Sequence, residues 1–263
     1  MGNYFEGIYY KHQKDGHTVC FIVGRANSGS FVQVITNEKT YQYDSLAGCE
    51  FGANGISVNL PQIQGKLRYG KLQPLRSDIM GPFRLFPMQC SHAVYSMAHT
   101  LDGSLTIEGE TIDFSGGMGY MEGDRGRSFP KKYLWLHCSD FSEPCSVMAS
   151  VAHIPFCGFS FMGCICAVIY GGREYRLATY NGVRIEEASR CTLKLRQGKY
   201  RFEITVRPQQ EHPLRAPLSG CMVQTIHESN SSHARFQLWE ADRLVFDLRS
   251  ANVSFECNLP EKQ

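Results

Sequence analysis

The chain contains 263 residues, of which 43% are hydrophobic and 20% are charged, as in ordinary folded proteins. Its formal net charge is only +2 and its basic residues are dispersed, which argues against a nucleic-acid partner. Eleven cysteines at irregular spacing include no C-x-x-C pair, and the N-terminus lacks the features of a secretion signal. These features favour reduced thiols in a cytoplasmic protein over a zinc ribbon or a redox dithiol.

Short turn signals punctuate the chain, and runs rich in Val, Ile, Tyr and Phe lie between them. The signals are Asp15-Gly16, Asn54-Gly55, Asp102-Gly103, Gly171-Gly172, Asn181-Gly182 and Gln197-Gly198. This pattern is typical of antiparallel strands joined by hairpins. No long stretch has the 3.6-residue periodicity of an amphipathic helix. We therefore predict an all-β protein with few, short helices.

The clearest predicted hairpin covers residues 191–207, CTLKLRQGKYRFEITVR. Apolar and polar residues alternate on both sides of its turn, so one face is expected to be buried and the other wet. Residues 105–114 and 244–255 show the same alternation.

A four-residue similarity indicates an internal duplication. Tyr4-Phe5-Glu6-Gly7 and Tyr120-Met121-Glu122-Gly123 share the form Y-x-E-G, and apolar strand patterns follow each of them. Two β-barrel-like halves, each a barrel or a sandwich, would explain this repeat. We expect the first half over residues 1–116 and the second over residues 117–263, where it would carry the motif GYMEGDRGRSFP.

One stretch is long and apolar enough to raise the question of a membrane span. No Asp, Glu, Lys or Arg lies between Glu143 and Arg173. Proline, glycine, serine and cysteine interrupt the stretch, which a continuous lipid-facing helix would not favour. We interpret it as two adjacent strands that are apolar on both faces. Peripheral contact with a membrane surface stays open.

The segment 116–137 concentrates polar and aromatic chemistry. Glycines free the backbone at its start, and Glu122 and Asp124 follow two residues apart, so they share one face of an extended strand. Arg125 would lie on the other face. Ser128, followed by Phe and Pro, predicts the start of a helix. Two interpretations remain: a site with a carboxyl proton donor, or a structural salt bridge between the acids and the neighbouring arginines.

Several catalytic motifs are absent from the sequence, including G-x-S-x-G, the P-loop, G-x-G-x-x-G and H-E-x-x-H. His92 and His99 are seven residues apart, and no further ligands lie at short spacing, so we expect no metal and no cofactor. Acid–base chemistry in an apolar cavity remains. A buried carboxyl group is pushed towards its neutral, proton-donating form, and aromatic faces stabilise a developing cation.

His227 and Glu228 form a further candidate acid–base pair near the C-terminus. Adjacent residues on a strand point to opposite faces. Only one of the two is therefore expected to face a cavity.

Three parts of the chain together resemble the tocopherol cyclase family as it occurs in bacteria. They are YFEGIYYKHQ near the start, GGMGYMEGDRGRSFPKKYLW in the centre, and TIHES followed by RFQLWE near the end. The family is similar to a wider group of proteins, and the resemblance implies two lipocalin-like barrels in tandem with an apolar ligand between or inside them. It also implies isomerase chemistry, in which protonation of an alkene lets a phenol oxygen close a prenylated quinol to a chromanol.

The resemblance supplies the candidate site residues. Asp124 or Glu122 would be the proton donor. The candidate ligand contacts are Tyr120, Arg125, Trp135, Trp239, Glu6 and His227. Arg125 stands where plant members have Trp, which favours an ion pair with a neighbouring acid and weakens that acid as a proton donor. The alternative function is therefore a non-catalytic lipid or isoprenoid carrier with the same cavity.

Overall fold

The computed structural model describes residues 3–156 and 158–260, which form two antiparallel sheets. The strands of the first sheet are β1 (Phe5–Lys14), β2 (His17–Ala26), β3 (Gly29–Thr36), β4 (Thr40–Tyr43), β5 (Glu50–Gly52), β6 (Gly55–Asn59), β7 (Ile63–Tyr69), β8 (Cys90–Ile107), β9 (Glu110–Asp113) and β10 (Met118–Gly126). Their order is β4-β3-β2-β1-β10-β8-β7-β6-β5, and β9 pairs with β8.

The strands of the second sheet are β11 (Tyr133–Cys138), β12 (Cys145–Phe156), β13 (Phe159–Tyr170), β14 (Arg173–Ala178), β15 (Arg184–Ala188), β16 (Thr192–Gln197), β17 (Tyr200–Arg207), β18 (His212–Leu218), β19 (Cys221–Glu240) and β20 (Arg243–Cys257). Short 3-10 helices cover Gly81–Leu85 and Thr179–Asn181. The all-β prediction with few, short helices is confirmed. The predicted hairpin at residues 191–207 is the pair β16 and β17.

Each sheet curls around its own apolar core. Val34 on β3 and Val58 on β6 come from opposite halves of the first sheet, yet they belong to one buried cluster. The second sheet encloses a separate cluster, and a third cluster lies between the sheets. Because neighbouring strand residues face opposite sides, Tyr10 points into the first core whereas Tyr9 joins the cluster between the sheets. We call β1 to β10 the first barrel and β11 to β20 the second barrel.

The two barrels are structural duplicates. The second sheet has the order β14-β13-β12-β11-β20-β19-β17-β16-β15, which repeats the path of the first with β19 in the place of β8. The change of barrel falls between β10 and β11, later than the expected boundary at residues 116 and 117. The glycines there form the tight turn into β10, with Gly116 at a φ of +82°, and β10 pairs with β1 and β8 in the first barrel.

The Y-x-E-G repeat does not mark equivalent positions. Its two copies lie side by side on β1 and β10 of one sheet, where Gly7 is opposite Asp124 and Tyr9 is opposite Glu122. By sheet order, the counterpart of β1 is β11 and the counterpart of β10 is β20. The duplication is present, but these two motifs are neighbours within one copy.

The helix expected at Ser128 does not form. Residues 127–132 connect β10 to β11 without a helix. The Ser128 hydroxyl accepts a hydrogen bond of 2.8 Å from the backbone N–H of Ser219, in the turn between β18 and β19. The side chain therefore satisfies a donor of the second barrel instead of a helix terminus.

The uncharged stretch after Glu143 forms the paired strands β12 and β13, as interpreted from the sequence. Its two faces contact different apolar clusters, since Val151 packs in the core of the second barrel and Ala152 in the cluster between the barrels. Within residues 3–156 and 158–260, no helix has the length and apolar character needed to cross a membrane.

Candidate active site between the barrels

A cavity of about 170 Å³ lies between the two barrels. Strands β1, β2, β3, β8 and β10 contribute side chains from the first barrel, and β11, β12, β13, β18, β19 and β20 contribute from the second. Most of the lining is apolar. Its members include Phe5, Ile22, Phe31, Phe129, Trp135, Ala152, Ile154, Ile165, Leu214 and Ile226. A cavity with this lining suits an apolar small molecule.

Three side chains converge on one oxygen of Glu122, which is only 4% exposed. The hydroxyl of Tyr120 donates a short hydrogen bond to Oε2, and the indole Nε1 of Trp135 donates to the same oxygen over 3.2 Å. The third neighbour is Nε2 of His92, which also lies 3.2 Å from Oε2. Burial and the nearby carboxylate raise the pKa of Tyr120 well above its ordinary value, so its hydroxyl stays available as a donor.

His92 lies between two carboxylates. Its Nδ1 is 3.0 Å from Oδ1 of Asp124, on the adjacent strand, while its Nε2 faces Glu122. Burial opposes a charge on His92, but the two carboxylates outweigh burial and raise the pKa of the imidazole well above 6.5. We call His92, Glu122 and Asp124 the His92 trio. With His92 charged, the trio holds a proton and carries a net charge of about −1 when both carboxylates are ionised.

The trio also has a donor set that metal ions use. One ligand atom from each of its side chains lies within 4.8 Å of the others. Both imidazole nitrogens, however, already face carboxylate oxygens. A cation bound here would have to displace the imidazole proton, because metals coordinate the neutral ring.

A second acidic pair faces the cavity from the second barrel. Glu228 on β19 is directly opposite Glu256 on β20. The Tyr9 hydroxyl donates to Oε1 of Glu228 over 2.5 Å, and the Tyr133 hydroxyl donates to Oε2 of Glu256 over 2.7 Å. Glu256 and both tyrosines line the cavity, whereas Glu228 is fully buried behind them. We call these two acids the Glu228–Glu256 pair.

Four of the predicted site residues meet at the His92 trio. Glu122, Asp124 and Trp135 line the cavity, and Tyr120 is buried next to Glu122. The strand prediction that Glu122 and Asp124 share a face is confirmed, as both line the same cavity. Their cationic partner is His92 and not Arg125, which is exposed on the other face of β10.

The remaining predicted contacts lie outside the cavity. Glu6 points outward and forms an ion pair with Arg25, with Oε1 and Nε 2.5 Å apart. Trp239 is half-buried, and the guanidinium carbon of Arg201 lies 4.0 Å from its ring centroid. His227 is exposed, so the residue of the His227-Glu228 pair that faces inward is Glu228.

Sequence reasoning considered His92 only as a metal ligand, left open which of His227 and Glu228 faces the cavity, and missed Glu256. His92 meets Asp124 only through the pairing of β8 with β10, a contact between residues far apart in the chain. A local signal did exist for Glu228, because it shares the inward face of β19 with Ile226 and Asn230, at the two-residue period of a strand.

Duplicated ten-strand sheets with an apolar cavity between them define a tandem lipocalin-like β-barrel protein. The chain matches the model of the tocopherol cyclase-like family over residues 59–258. It therefore belongs to the tocopherol cyclase-like family.

Solved structures support the fold. The structure of CghA with Sch210972 has a TM-score of 0.63 at 9% identity, covering 99% of this chain and 90% of that chain. A protein from Nitrosomonas europaea assigned as AttH has a TM-score of 0.53 at 11% identity, covering 97% of this chain and 92% of that chain. No match was found among curated proteins. At these identities the likeness concerns the fold alone.

Proposed function

We propose that this protein binds an apolar, isoprenoid-type small molecule between its barrels and cyclises it by proton transfer at the His92 trio. One observation carries the proposal: the His92 imidazole is held between two carboxylates on the wall of a largely apolar cavity. Burying such charges is costly, and sites that bear this cost are often functional. Membership of the tocopherol cyclase-like family supports a cyclase-like or binding role.

The lining fits a reaction through a cationic intermediate. Trp135 and Tyr9 present aromatic faces, and such faces attract positive charge. With both carboxylates ionised, the trio would stabilise a developing cation beside it. A prenylated quinol supplies both reacting groups, an alkene that takes up a proton and a phenol oxygen that closes the ring. The proton lost by the phenol returns to the site, so the product is an isomer of the substrate.

An aromatic rim gives such a ligand a route into the cavity. Phe83 and Phe161 line the cavity, and their ring centroids are 5.9 Å apart. The rim continues outward to Phe159, Phe86 and Leu85, whose exposed fractions are 59%, 46% and 75%. Exposed apolar groups next to a cavity mark interaction surfaces. We infer that apolar ligands enter here, and a rim of this kind also suits transient contact with a membrane surface.

A non-catalytic carrier is the second candidate. It is favoured by the crowding at Oε2 of Glu122, where Tyr120 and Trp135 donate and His92 lies 3.2 Å away, because an oxygen occupied in this way is not free to contact a ligand. In a carrier, the trio would only hold β8 against β10 and accept the Trp135 indole of the second barrel.

Incubation with a prenylated quinol, followed by liquid chromatography and mass spectrometry, separates the two candidates. An enzyme yields a product of unchanged mass and altered retention. We expect Glu122→Gln and Asp124→Asn to lower conversion by about 100-fold or more and to keep the bound quinol. Glu6→Gln, on the outer face of β1, is the matched control and should convert like the wild type.

Each other outcome of this experiment has a defined meaning. Wild-type protein that retains the quinol without converting it would identify a carrier. Protein that neither retains nor converts it would refute the proposed ligand class. Loss of folding in Glu122→Gln would assign the trio a structural role.

A further inference from the structure

Two glutamates of the second barrel, the fully buried Glu228 and the partly buried Glu256, occupy positions where both cannot carry charge at low cost. Glu228 and Glu256 face each other directly across β19 and β20, and neither has a cation as a direct ion-pair partner among the described residues. Oε1 of Glu228 receives the Tyr9 hydroxyl, while Oε2 has no hydrogen-bond partner of ordinary geometry within residues 3–156 and 158–260. Burial of a carboxyl oxygen without a hydrogen-bond donor disfavours the ionised acid and favours its protonated form.

We propose that the Glu228–Glu256 pair is a second proton-transfer site, in which the two carboxyl groups share a proton and Glu256 exchanges a proton with the ligand in the cavity. The inference depends on the proposed function for the nature of the ligand. The shared proton itself is a property of the free protein, so it can be tested without a substrate.

The surroundings of the pair favour a protonation change near neutral pH. Burial raises the pKa of Glu228 to about 7, against the lowering effect of its hydrogen bonds and of Lys11. Burial and then the charge of Glu228 raise the pKa of Glu256 well above its ordinary value. An acid or base that changes its protonation near the working pH is suited to general acid–base catalysis.

The groups around the pair come from both barrels. From the second barrel, His212 on β18 is directly opposite Glu228, and the Tyr133 hydroxyl donates to Glu256. Lys11 and Cys20 face it from β1 and β2, and Glu122 adds negative charge from β10. Lys11 is 1% exposed, and its ammonium donates to the backbone oxygen of His137 over 3.1 Å. Burial lowers the pKa of Lys11, so its charge compensates one anion of the pair at most.

Of the two acids, Glu256 alone lines the cavity where the ligand would bind. Glu256 lines the cavity together with Tyr133, whereas Glu228 is fully buried. Glu256 is therefore the candidate catalytic residue, and Glu228 is a positioning residue that acts through it. The His92 trio lies on the wall formed by the first barrel, so the ligand would meet a proton-bearing group on each side.

Proton transfer between Glu256 and the ligand needs no further reactant. With both acids protonated, the O–H bond of Glu256 breaks and the proton moves to a basic atom or π bond of the ligand. The electron pair stays on the Glu256 carboxylate, which receives the Tyr133 hydroxyl and shares the proton left on Glu228. A proton released by the ligand later restores the pair. If the pair holds only one proton at the start, Glu256 first accepts a proton from the ligand and later returns it.

Infrared titration of the free protein tests the shared proton. Wild-type protein should show a protonated-carboxyl band that titrates near pH 7. In Glu228→Gln, Glu256 loses the neighbouring carboxyl group that raises its pKa, and its midpoint should fall by roughly one pH unit or more. Glu108→Gln, which removes the exposed partner of Lys39 and lies outside the cavity lining, is the control and should leave the band unchanged.

A second variant provides the same test if Glu228→Gln does not fold. Tyr133→Phe removes a donor that lowers the pKa of Glu256, so the midpoint of the pair should rise. The midpoint is expected at about pH 7. If no carboxyl group of the wild-type protein titrates between pH 6 and 8, the proposal is overturned. An unchanged midpoint in both variants would overturn it as well. Absence of quinol conversion would refute the proposed function and leave the infrared result standing.

Discussion

Trp135 packs edge-on against Tyr9, with ring centroids 5.4 Å apart, and each of the two donates to an acid of the opposite barrel. Tyr9 of the first barrel reaches Glu228, and Trp135 of the second reaches Glu122. Tyr9 and Trp135 hold corresponding positions, because Tyr9 is opposite Glu122 on β10 and Trp135 is opposite Glu256 on β20. The duplicated fold thus links its two acidic sites through one reciprocal contact.

This reciprocal contact predicts a stability loss for Tyr9→Phe. The ring keeps its place against Trp135, but Oε1 of Glu228 loses its donor in a fully buried position. We expect the free energy of unfolding to fall by about 1 to 3 kcal/mol, measured by urea denaturation. Tyr10→Phe, whose ring faces the core of the first barrel, is the neighbouring control. Equal losses in the two variants would argue against the cross-barrel hydrogen bond.

His92→Gln should destabilise the protein because it removes the charge between Glu122 and Asp124. We expect a loss of roughly 3 kcal/mol, as for other broken buried ion pairs. Since the pKa of His92 is raised above 6.5, its contribution is complete below pH 6.5 and disappears as the pH rises through the raised value. The difference from wild type should therefore be constant in acid and shrink in alkali.

A surface ion pair provides the control for His92→Gln. Arg173→Gln removes an exposed partner of Glu240, where solvent screens the attraction, and should cost much less than His92→Gln. If His92→Gln costs no more than this control at pH 6, the imidazole does not hold the two carboxylates together.

The Glu228–Glu256 pair predicts that the free energy of unfolding decreases as the pH rises, whereas an ordinary salt-bridged acid makes it increase. The pKa of Glu228 is raised from 4.5 to about 7, so the folded protein binds more protons than the unfolded chain between these values. Stability from this group is complete below pH 4.5 and is lost as the pH rises to about 7. The contribution is on the order of 3 kcal/mol.

Glu228→Gln should remove most of that slope in denaturation curves recorded across the same pH range. Wild-type protein should be relatively more stable at pH 5 than at pH 7 when compared with this variant. A slope that persists unchanged in Glu228→Gln would assign it to other groups.

Much of the fold could be predicted from local pattern. Alternating residues and glycine-containing turns identify hairpins such as β16 and β17, and the uncharged stretch identifies β12 and β13. The boundary could not be placed in this way. Gly116 marks a turn within the first barrel, and only the long-range pairing of β10 with β1 shows to which barrel the strand belongs.

Only the part of the site that depends on local sequence pattern could be predicted. Glu122 and Asp124 share a face by the two-residue period of a strand, a local property. Their partner His92 is set by sheet pairing, and Glu256 joins them only because the barrels meet at the cavity. Trp239 shows the converse error, since aromatic character alone does not distinguish a cavity wall from a half-buried ring that stacks on Arg201.

The central claim is that an apolar ligand binds between the barrels against Trp135, and tryptophan fluorescence tests it most directly. The chain has two tryptophans, so Trp239→Phe leaves Trp135 as the reporter and Trp135→Phe leaves the distant Trp239. Titration with a prenylated quinol should give a saturable change in Trp239→Phe and none in Trp135→Phe. Adding Ala152→Phe to the Trp239→Phe variant fills the cavity and should abolish the fluorescence change. A saturable signal that persists in Trp135→Phe, or none in Trp239→Phe, would contradict the account.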